Sequence, residues 1–173
     1  EISDGGNDYG FILNGSGSGR VEFTADNTYT GDTRIERGQL IVSGSLAGDT
    51  YVGTGGTNQA LLGGSGVVQD VIAVGQGAIV DPGNGAGQAG ILTTGALSLS
   101  NSAHLQMQIG GMTAGGESST GYDQIIASGQ ISLTGGDLRL ELIGTPTIEF
   151  GTPIFLMVNN SGSLVDGAFS TLN

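Results

Sequence analysis

The sequence predicts an all-β solenoid, built of short strands stacked coil on coil. Three observations carry that expectation. Apolar residues alternate with polar ones at period two, and no stretch sustains the i, i+3, i+4 spacing of a helix. A device of strand, small polar corner and strand recurs at separations of about 25 to 39 residues, in the range of repeat architectures. Glycine supplies 35 of 173 residues and sits between the apolar runs, with no collagen triplet.

The device has four visible copies. In TRIERGQLIV, Ile35 and Leu40 enclose ERGQ; in VIAVGQGAIV, Val74 and Ile79 enclose GQGA. In ISLTGGDLRLEL, Leu133 and Leu138 enclose TGGD, and in ALSLSNSAHLQMQI, Leu99 and Leu105 enclose SNSAH. Leu40, Ile79, Leu105, Leu133, Leu138 and Leu140 are therefore expected to face one interior. Strands this short cannot stand alone, but stacked coils bury their inward side chains in a continuous core. Coils of roughly 20 to 25 residues spaced by about 4.8 Å give about seven coils and a rod of about 35 Å.

Taken in order, residues 1–10 read as a flexible acidic end. Phe11 to Leu13 and Val21 to Phe23 flank NGSGSGR, which reads as a turn between short strands. Tyr29 to Val42 gives two more strands. Residues 44–66 are glycine-dense, with apolar pieces at Tyr51-Val52 and Leu61-Leu62. Val67 to Val80 is a double strand, and Asp81-Pro82-Gly83-Asn84 is a turn signal. Ala96 to Ile109 is the longest run without glycine, and its apolar residues are spaced by two on either side of Ser-Asn-Ser. Residues 110–121 are small, polar and without period, as in a long mobile loop. Beyond them the strands become more apolar, and Pro153 to Val158, PIFLMV, reads as a strand buried on both faces. The expected organisation is coils over residues 1–120, with the last coils and a cap over 121–173.

The net charge is −12, with four arginines and no lysine. Phosphate recognition needs Lys/Arg stripes, so nucleic acid is not an expected partner. Between Thr50 and Gly116 the acids are Asp70 and Asp81 alone, so much of the surface is neutral. The absence of cysteine excludes disulfides and thiolate metal sites. No apolar run approaches 20 residues, so no helical membrane span is expected. The chain opens at Glu1 without Met, as an internal piece of a larger protein would.

NTYTGDTRIERGQLIVSGSL, Asn27 to Leu46, resembles the repeat of bacterial autotransporter passenger domains, whose pattern is close to N-T-Y-T-G-x-T-x-I-x-x-G-x-L-x-V followed by Gly-Ser-Leu. LLGGSGVV (61–68), IVDPGNG (79–85), GYDQIIASGQISLTGG (121–136) and the closing VDGAFSTL are similar to later blocks of that family, in family order. The resemblance implies a right-handed parallel β-helix from the C-terminal stem of a secreted passenger. It implies a Gram-negative cell-surface or extracellular location, an outer-membrane β-barrel of the same polypeptide as partner, and a folding-promoting capping segment after Gly121. The barrel itself, with its long alternating strands, is not in this sequence.

Candidate sites read mostly as structure. His104 shares a strand face with Gln106 and Gln108, opposite Leu105, Met107 and Ile109, and reads as an exposed polar residue. No second His or any Cys completes a nitrogen/sulfur metal site or a triad. Asp137, Arg139 and Glu141 alternate with leucines and read as a solvated salt ladder. Asp4-Gly5-Gly6-Asn7-Asp8 lacks the tandem repeat of a calcium solenoid, and calcium is a minor option there. Asp81 is expected to cap a turn, Tyr122 to cover a coil and Asp123 to hold a corner. No catalytic, cofactor-binding or metal residue is assigned. Of the acid pairs, Asp137 or Glu141 against Asp123 or Glu149, none is expected to face a groove with a perturbed carboxylic acid. The leading functional reading is a non-enzymatic structural stem. The second is an adhesive module taking a host or surface ligand on its neutral outer face, and the third a carbohydrate-active enzyme.

Overall fold

The structure is a computed structural model that describes residues 1–15, 19–53, 57–85, 87–116, 120–146 and 148–173. The described residues contain strands and turns and no helix. The chain runs through β1 (Phe11–Asn14), β2 (Arg20–Phe23), β3 (Asp26–Asn27), β4 (Thr33–Val42) and β5 (Ser45–Leu46). It continues through β6 (Thr50–Val52), β7 (Ala60–Gly64), β8 (Val71–Val74), β9 (Ala78–Pro82) and β10 (Ile91–Thr94). Then come β11 (Leu97–Ser100), β12 (His104–Ile109), β13 (Thr113–Ala114), β14 (Gly121–Tyr122) and β15 (Gln124–Ala127). The last elements are β16 (Ile131–Ser132), β17 (Asp137–Leu142), β18 (Met157–Asn159) and β19 (Thr171–Leu172).

Apart from β13 and β14, of which β14 pairs antiparallel with β12, these strands form three parallel ladders. The first is β1, β4, β6, β8, β11 and β16. The second is β2, β4, β7, β9, β12, β17 and β19. The third is β3 with β5, then Val67 bridging Ser45 and Thr93, then β10, β15 and β18. Strand β4 belongs to two ladders. Its first half pairs with β1 and β6 and its second half with β2 and β7. Gly38, at φ +106°, makes that passage, and a Cβ there would sit 2.9 Å from the Gly19 carbonyl oxygen.

Register explains the core. In the second ladder, Val21, Leu40, Leu62, Val80, Leu105, Leu138 and Leu172 stand opposite one another rung after rung. Leu40, Leu62, Val80 and Leu105 are fully buried, while Leu172 at the end of the column is 68% exposed. Each buried aliphatic contributes about 1.5–3 kcal/mol. In the first ladder the inward column is Phe11, Thr33, Thr50, Val71, Leu97 and Ile131. Its two threonines are buried, and Tyr29 Oη shares a hydrogen bond with Thr33 Oγ1 inside the stack. Such a bond is what makes a buried hydroxyl tolerable.

The device seen in the sequence is the passage from the first ladder into the second. It has six copies, not four: β1/β2, β4, β6/β7, β8/β9, β11/β12 and β16/β17. More residues separate the strands of the copies at β1/β2 and β6/β7, which broke the spacing that the sequence displayed.

Several expectations are corrected. Ile79 is not an interior residue. The aligned inward positions of its copy are Ala73 and Val80, and Val74 and Ile79 lie one residue off, on the outer face. A slip of one residue exchanges the faces of a strand. Leu140 is 41% exposed, being on the last full rung of its ladder. Leu40, Leu105 and Leu133 are in the core, and Leu138 packs against it. The two strands flanking NGSGSGR do not pair with each other; both pair with β4, and residues 16–18 of that segment lie outside the described residues. PIFLMV is not buried on both faces: Phe155 is 59% exposed, and Met157–Asn159 is the outer rung of the third ladder, beside β15. The expected loop at 110–121 contains β13 and folds back beside β12, with Gly110 and Gly111 donating to the Gly121 carbonyl; residues 117–119 lie outside the described residues.

Candidate functional site

The outer face of the second ladder gathers the unusual side chains. Outward positions alternate with the inward column, so the ladder register places them rung by rung. The first outward column runs Arg20, Gln39, Leu61, Ile79, His104, Asp137 and Thr171. The next runs Glu22, Ile41, Gly63 and Asp81, and Gln106 stands opposite Arg139 on the rungs that follow.

An outward face should be wet, yet Ile41, Asp81, His104 and Gln108 are all buried. Residues 83–85 and 87–90 lie against part of this face, beside Gly63 and Gln108. Gly83 pairs antiparallel with Gly64, which turns the chain back across the ladder. Gly64, at φ +113°, admits that pairing, and a Cβ on it would meet the Val42 carbonyl oxygen at 2.0 Å. The carbonyl oxygen of Gly83 and the Ile41 side chain both close on Gly63. The segment is pinned at both ends. Arg20 donates to the backbone carbonyl and the side-chain oxygen of Asn84, and is 3.9 Å from Glu22. Gly87 N–H donates to Gln108 Oε1, and Gly90 N–H donates to Asp123 Oδ1 at 2.8 Å.

Asp123 is the centre of this arrangement. Its other oxygen accepts the Gln108 N–H at 2.7 Å, so one carboxyl ties the covering segment to β12. That is the corner-holding role expected for it. Tyr122 beside it is buried. Burial pushes the Asp123 carboxyl up to about 7, against the two backbone N–H groups that hold it down, with the charges of Asp81 and Glu141 adding to the rise. Asp81 does not cap a turn. It lies within β9, takes one hydrogen bond from Gln106 Nε2 at 3.2 Å, and leaves Oδ1 without a partner. Burial pushes it up to about 7, and Glu141 adds to the shift. Of the acid pairs singled out in the sequence, Asp123 alone has a raised carboxyl. Neither of the two described hollows is lined by Asp81 or Asp123.

His104 is outward, as expected, but buried and not exposed. Arg139 Nη2 lies 2.9 Å from His104 Nε2 and must be the donor. The ring is then neutral with its proton on Nδ1, 3.6 Å from Asp137 Oδ2. Burial and the Arg139 charge hold its pKa down, and Asp137 opposes them. Arg139 thus serves His104 and makes no ion pair with Asp137 or Glu141 among the described residues, which replaces the expected salt ladder. With its lone pair occupied, His104 is not available as a general base. Glu149 is exposed.

Above Ile79 a groove of about 190 Å³ is lined by Gly38, Gln39, Gln59, Leu61, Ile79 and Gln106. Its floor is aliphatic, its rim is amide, and none of these side chains is charged. On the first ladder, a hollow of about 260 Å³ is lined by Gly10, Ile12, Asp32 and Arg34. Arg34 there pairs with Asp32 at 2.8 Å and stacks 4.5 Å over the Tyr51 ring. At the other end, Asp4 is fixed and not flexible: its oxygens accept the N–H of Gly6 and both the N–H and hydroxyl of Thr30. Those bonds, the backbone N–H of Thr30 foremost, hold its pKa down to about 2. No group of three or more acidic, His or Cys side chains among the described residues has the geometry to hold a metal ion.

Sequence reasoning missed the covering segment and its latch. Arg20 and Asn84 are far apart in the chain, and only the Pro-Gly-Asn signal marked the place where the chain turns back.

No family model matches the chain. Over 80 residues it is 36% identical to the extracellular serine protease of Serratia marcescens. The matched stretch is 46% of this chain and 7% of the Serratia protein, so the chain spans a small part of that relative's length. The chain is thus an all-β, parallel-laddered protein with partial similarity to an extracellular bacterial protein.

Proposed function

We propose that the chain is a right-handed parallel β-helix serving as the non-catalytic stem of an autotransporter-like secreted or cell-surface protein. In this reading it supports display and folding of a passenger ahead of a C-terminal outer-membrane β-barrel of the same polypeptide. The observation that carries the reading is the unbroken register of the second ladder, seven aliphatic positions from Val21 to Leu172 on successive parallel rungs. A column of that kind makes a rigid rod and spreads the outer residues along it, which suits a spacer better than a pocket. Similarity to an extracellular protease supports the location. Protease activity is a property of the Serratia protein, and the shared stretch is 7% of it. Here the one histidine is engaged by Arg139.

The test places this chain between a folded reporter and an outer-membrane β-barrel in a Gram-negative host. Surface exposure of protease-resistant reporter should depend on the chain and should fall when Leu62 or Leu105 is replaced by Asp. Equal display with the chain deleted would remove the stem function. Hydrolysis of pectin-like, glucan or peptide substrates by the purified chain, lost in Asp137→Asn or Glu141→Gln with folding intact, would replace it by an enzyme.

A second reading has its own observation. The uncharged, amide-rimmed groove over Leu61 and Ile79 favours a ligand-binding or adhesive use of the outer face, for a neutral ligand. Retention of the chain on an immobilised neutral glycan, lost in Gln39→Glu, would support it.

A further inference from the structure

We propose that Asn84–Gly85 is a self-modifying site, at which the Asn84 side-chain amide is converted to a carboxylate that pairs with the Arg20 guanidinium. The proposal does not depend on the stem reading, because it concerns this turn alone.

Two asparagines precede glycine in the sequence, Asn14 and Asn84. Asparagine is chemically labile, and a following glycine has no side chain to obstruct attack of its backbone nitrogen on the amide carbon. By sequence the two sites are alike. The structure separates them.

At Gly85 the nucleophile is free. Asn84 is exposed, and Gly85 sits at φ +92°. Beyond its chain neighbours, a Cβ on Gly85 would meet one heavy atom within 4 Å, Arg20 Nη1 at 3.6 Å. The turn is closed by the Asn84 N–H donating to the Gln88 carbonyl at 3.3 Å and the Gln88 N–H donating to the Gly85 carbonyl at 3.1 Å. Neither bond uses the Gly85 N–H, which has no acceptor among the described residues. The electrophile is polarised. Arg20 donates through Nη2 to Asn84 Oδ1 and through Nη1 to the Asn84 backbone carbonyl at 3.1 Å. A guanidinium on Oδ1 draws charge from Cγ and stabilises the oxyanion that forms there on attack.

At Asn14 both features are missing. Asn14 ends β1, and the Gly15 N–H is spent on the Arg37 carbonyl at 3.1 Å. Asn14 Nδ2 donates to Glu36 Oε2 at 2.7 Å, which sets a carboxylate beside the amide and opposes a developing negative charge.

The step needs only water. The Gly85 N–H gives its proton to water or hydroxide, and the nitrogen bonds to Asn84 Cγ. The Cγ–Nδ2 bond breaks and ammonia leaves. Water then opens the five-membered imide, leaving a carboxylate in an aspartyl or isoaspartyl linkage. No group is oxidised or reduced. Arg20 exchanges a neutral acceptor for a charged one, beside Glu22 at 3.9 Å. An ion pair this exposed adds little stability, so the change is one of charge and linkage in the turn.

The intact protein, held at pH 8 and 37 °C and then digested at acid pH for mass spectrometry, tests this. Amide-to-acid conversion is followed at Asn84 and Asn14, in buffer and in unfolding urea. In the folded chain Asn84 should convert at least about fivefold faster than Asn14, and in urea the two rates should draw together. A folded preference below fivefold, or one that does not shrink in urea, would overturn the proposal. Arg20→Gln, at a part-exposed position, should slow conversion at Asn84 and leave Asn14 unchanged. An undiminished rate at Asn84 in that variant would overturn the part given to Arg20.

Discussion

Leu61 and Leu62 are neighbours in the chain and face opposite ways, so truncating each in turn tests the register directly. Leu62 is fully buried, with Leu40 on one side and Val80 on the other in the same column. Leu62→Ala removes a buried isobutyl group in mid-stack. The neighbouring rungs are fixed by backbone hydrogen bonds and cannot collapse into the space. The cost should lie toward the upper part of the usual range, at about 3–4 kcal/mol. Leu61 is half-buried on the groove floor, open to solvent on one side. Leu61→Ala forfeits part of the transfer energy and leaves no closed cavity, so about 1 kcal/mol is expected. Leu172→Ala, at the exposed end of the same inward column, should change stability by less than about 0.5 kcal/mol. Urea unfolding followed by far-ultraviolet circular dichroism measures all three, with the slope checked for constancy. Equal losses for Leu61→Ala and Leu62→Ala would refute the facing of β7. A Leu172→Ala cost matching that of Leu62→Ala would refute the end of the column.

Other outcomes follow from the same structure. Gly64→Ala should prevent folding or cost more than about 3 kcal/mol, because its Cβ meets the Val42 carbonyl at 2.0 Å and its φ is +113°, and thermal melting measures this. Arg139→Gln should cost about 1–3 kcal/mol by withdrawing the charged donor to buried His104, and nitrogen NMR of the intact protein should show the Nδ1–H tautomer. Global stability at 0.5 M salt should decline from pH 6.5 to 8.5 as Asp81 and Asp123 ionise, and Asp81→Asn should flatten the decline; a stability that rises over that interval would contradict the raised carboxyls. Below pH 6.5 His104 works in the opposite sense, its lowered pKa removing stability as pH falls, and below about pH 4 Asp4 does the same.

The strand content was legible because inward positions repeat at period two, and apolar and polar residues alternate cleanly in segments such as HLQMQI and DLRLEL. The copy at β8/β9 misled because VIAV and AIV are apolar on both faces. Val74 and Ile79 look like core residues by type, and only the partner rungs decide that Ala73 and Val80 point inward. Corners that vary in length hid the copies at β1/β2 and β6/β7, since a corner carries no hydrophobic signal. Asp123 could be suspected of holding a corner from its place before an apolar run. Its partners, Gly90 and Gln108, come from elements that no local pattern links to it. The burial of His104 was illegible for the same reason. A histidine on the polar side of an alternating strand reads as wet unless Arg139, on the next rung, is known to lie against it.

Cross-linking between rungs tests the parallel stack most directly, because the chain contains no cysteine of its own. Tyr51, Ile72, Ser98 and Ser132 stand opposite one another on successive rungs of the first ladder, facing outward. In-register parallel strands place such positions about 4.8 Å apart, within the reach of a disulfide. The account predicts rapid, near-complete oxidation of the cysteine pairs 51/72, 72/98 and 98/132, without loss of stability. It predicts slow or absent oxidation of 51/98 and 72/132, which skip a rung. Oxidation of the skipping pairs in preference to the adjacent ones would contradict the stack.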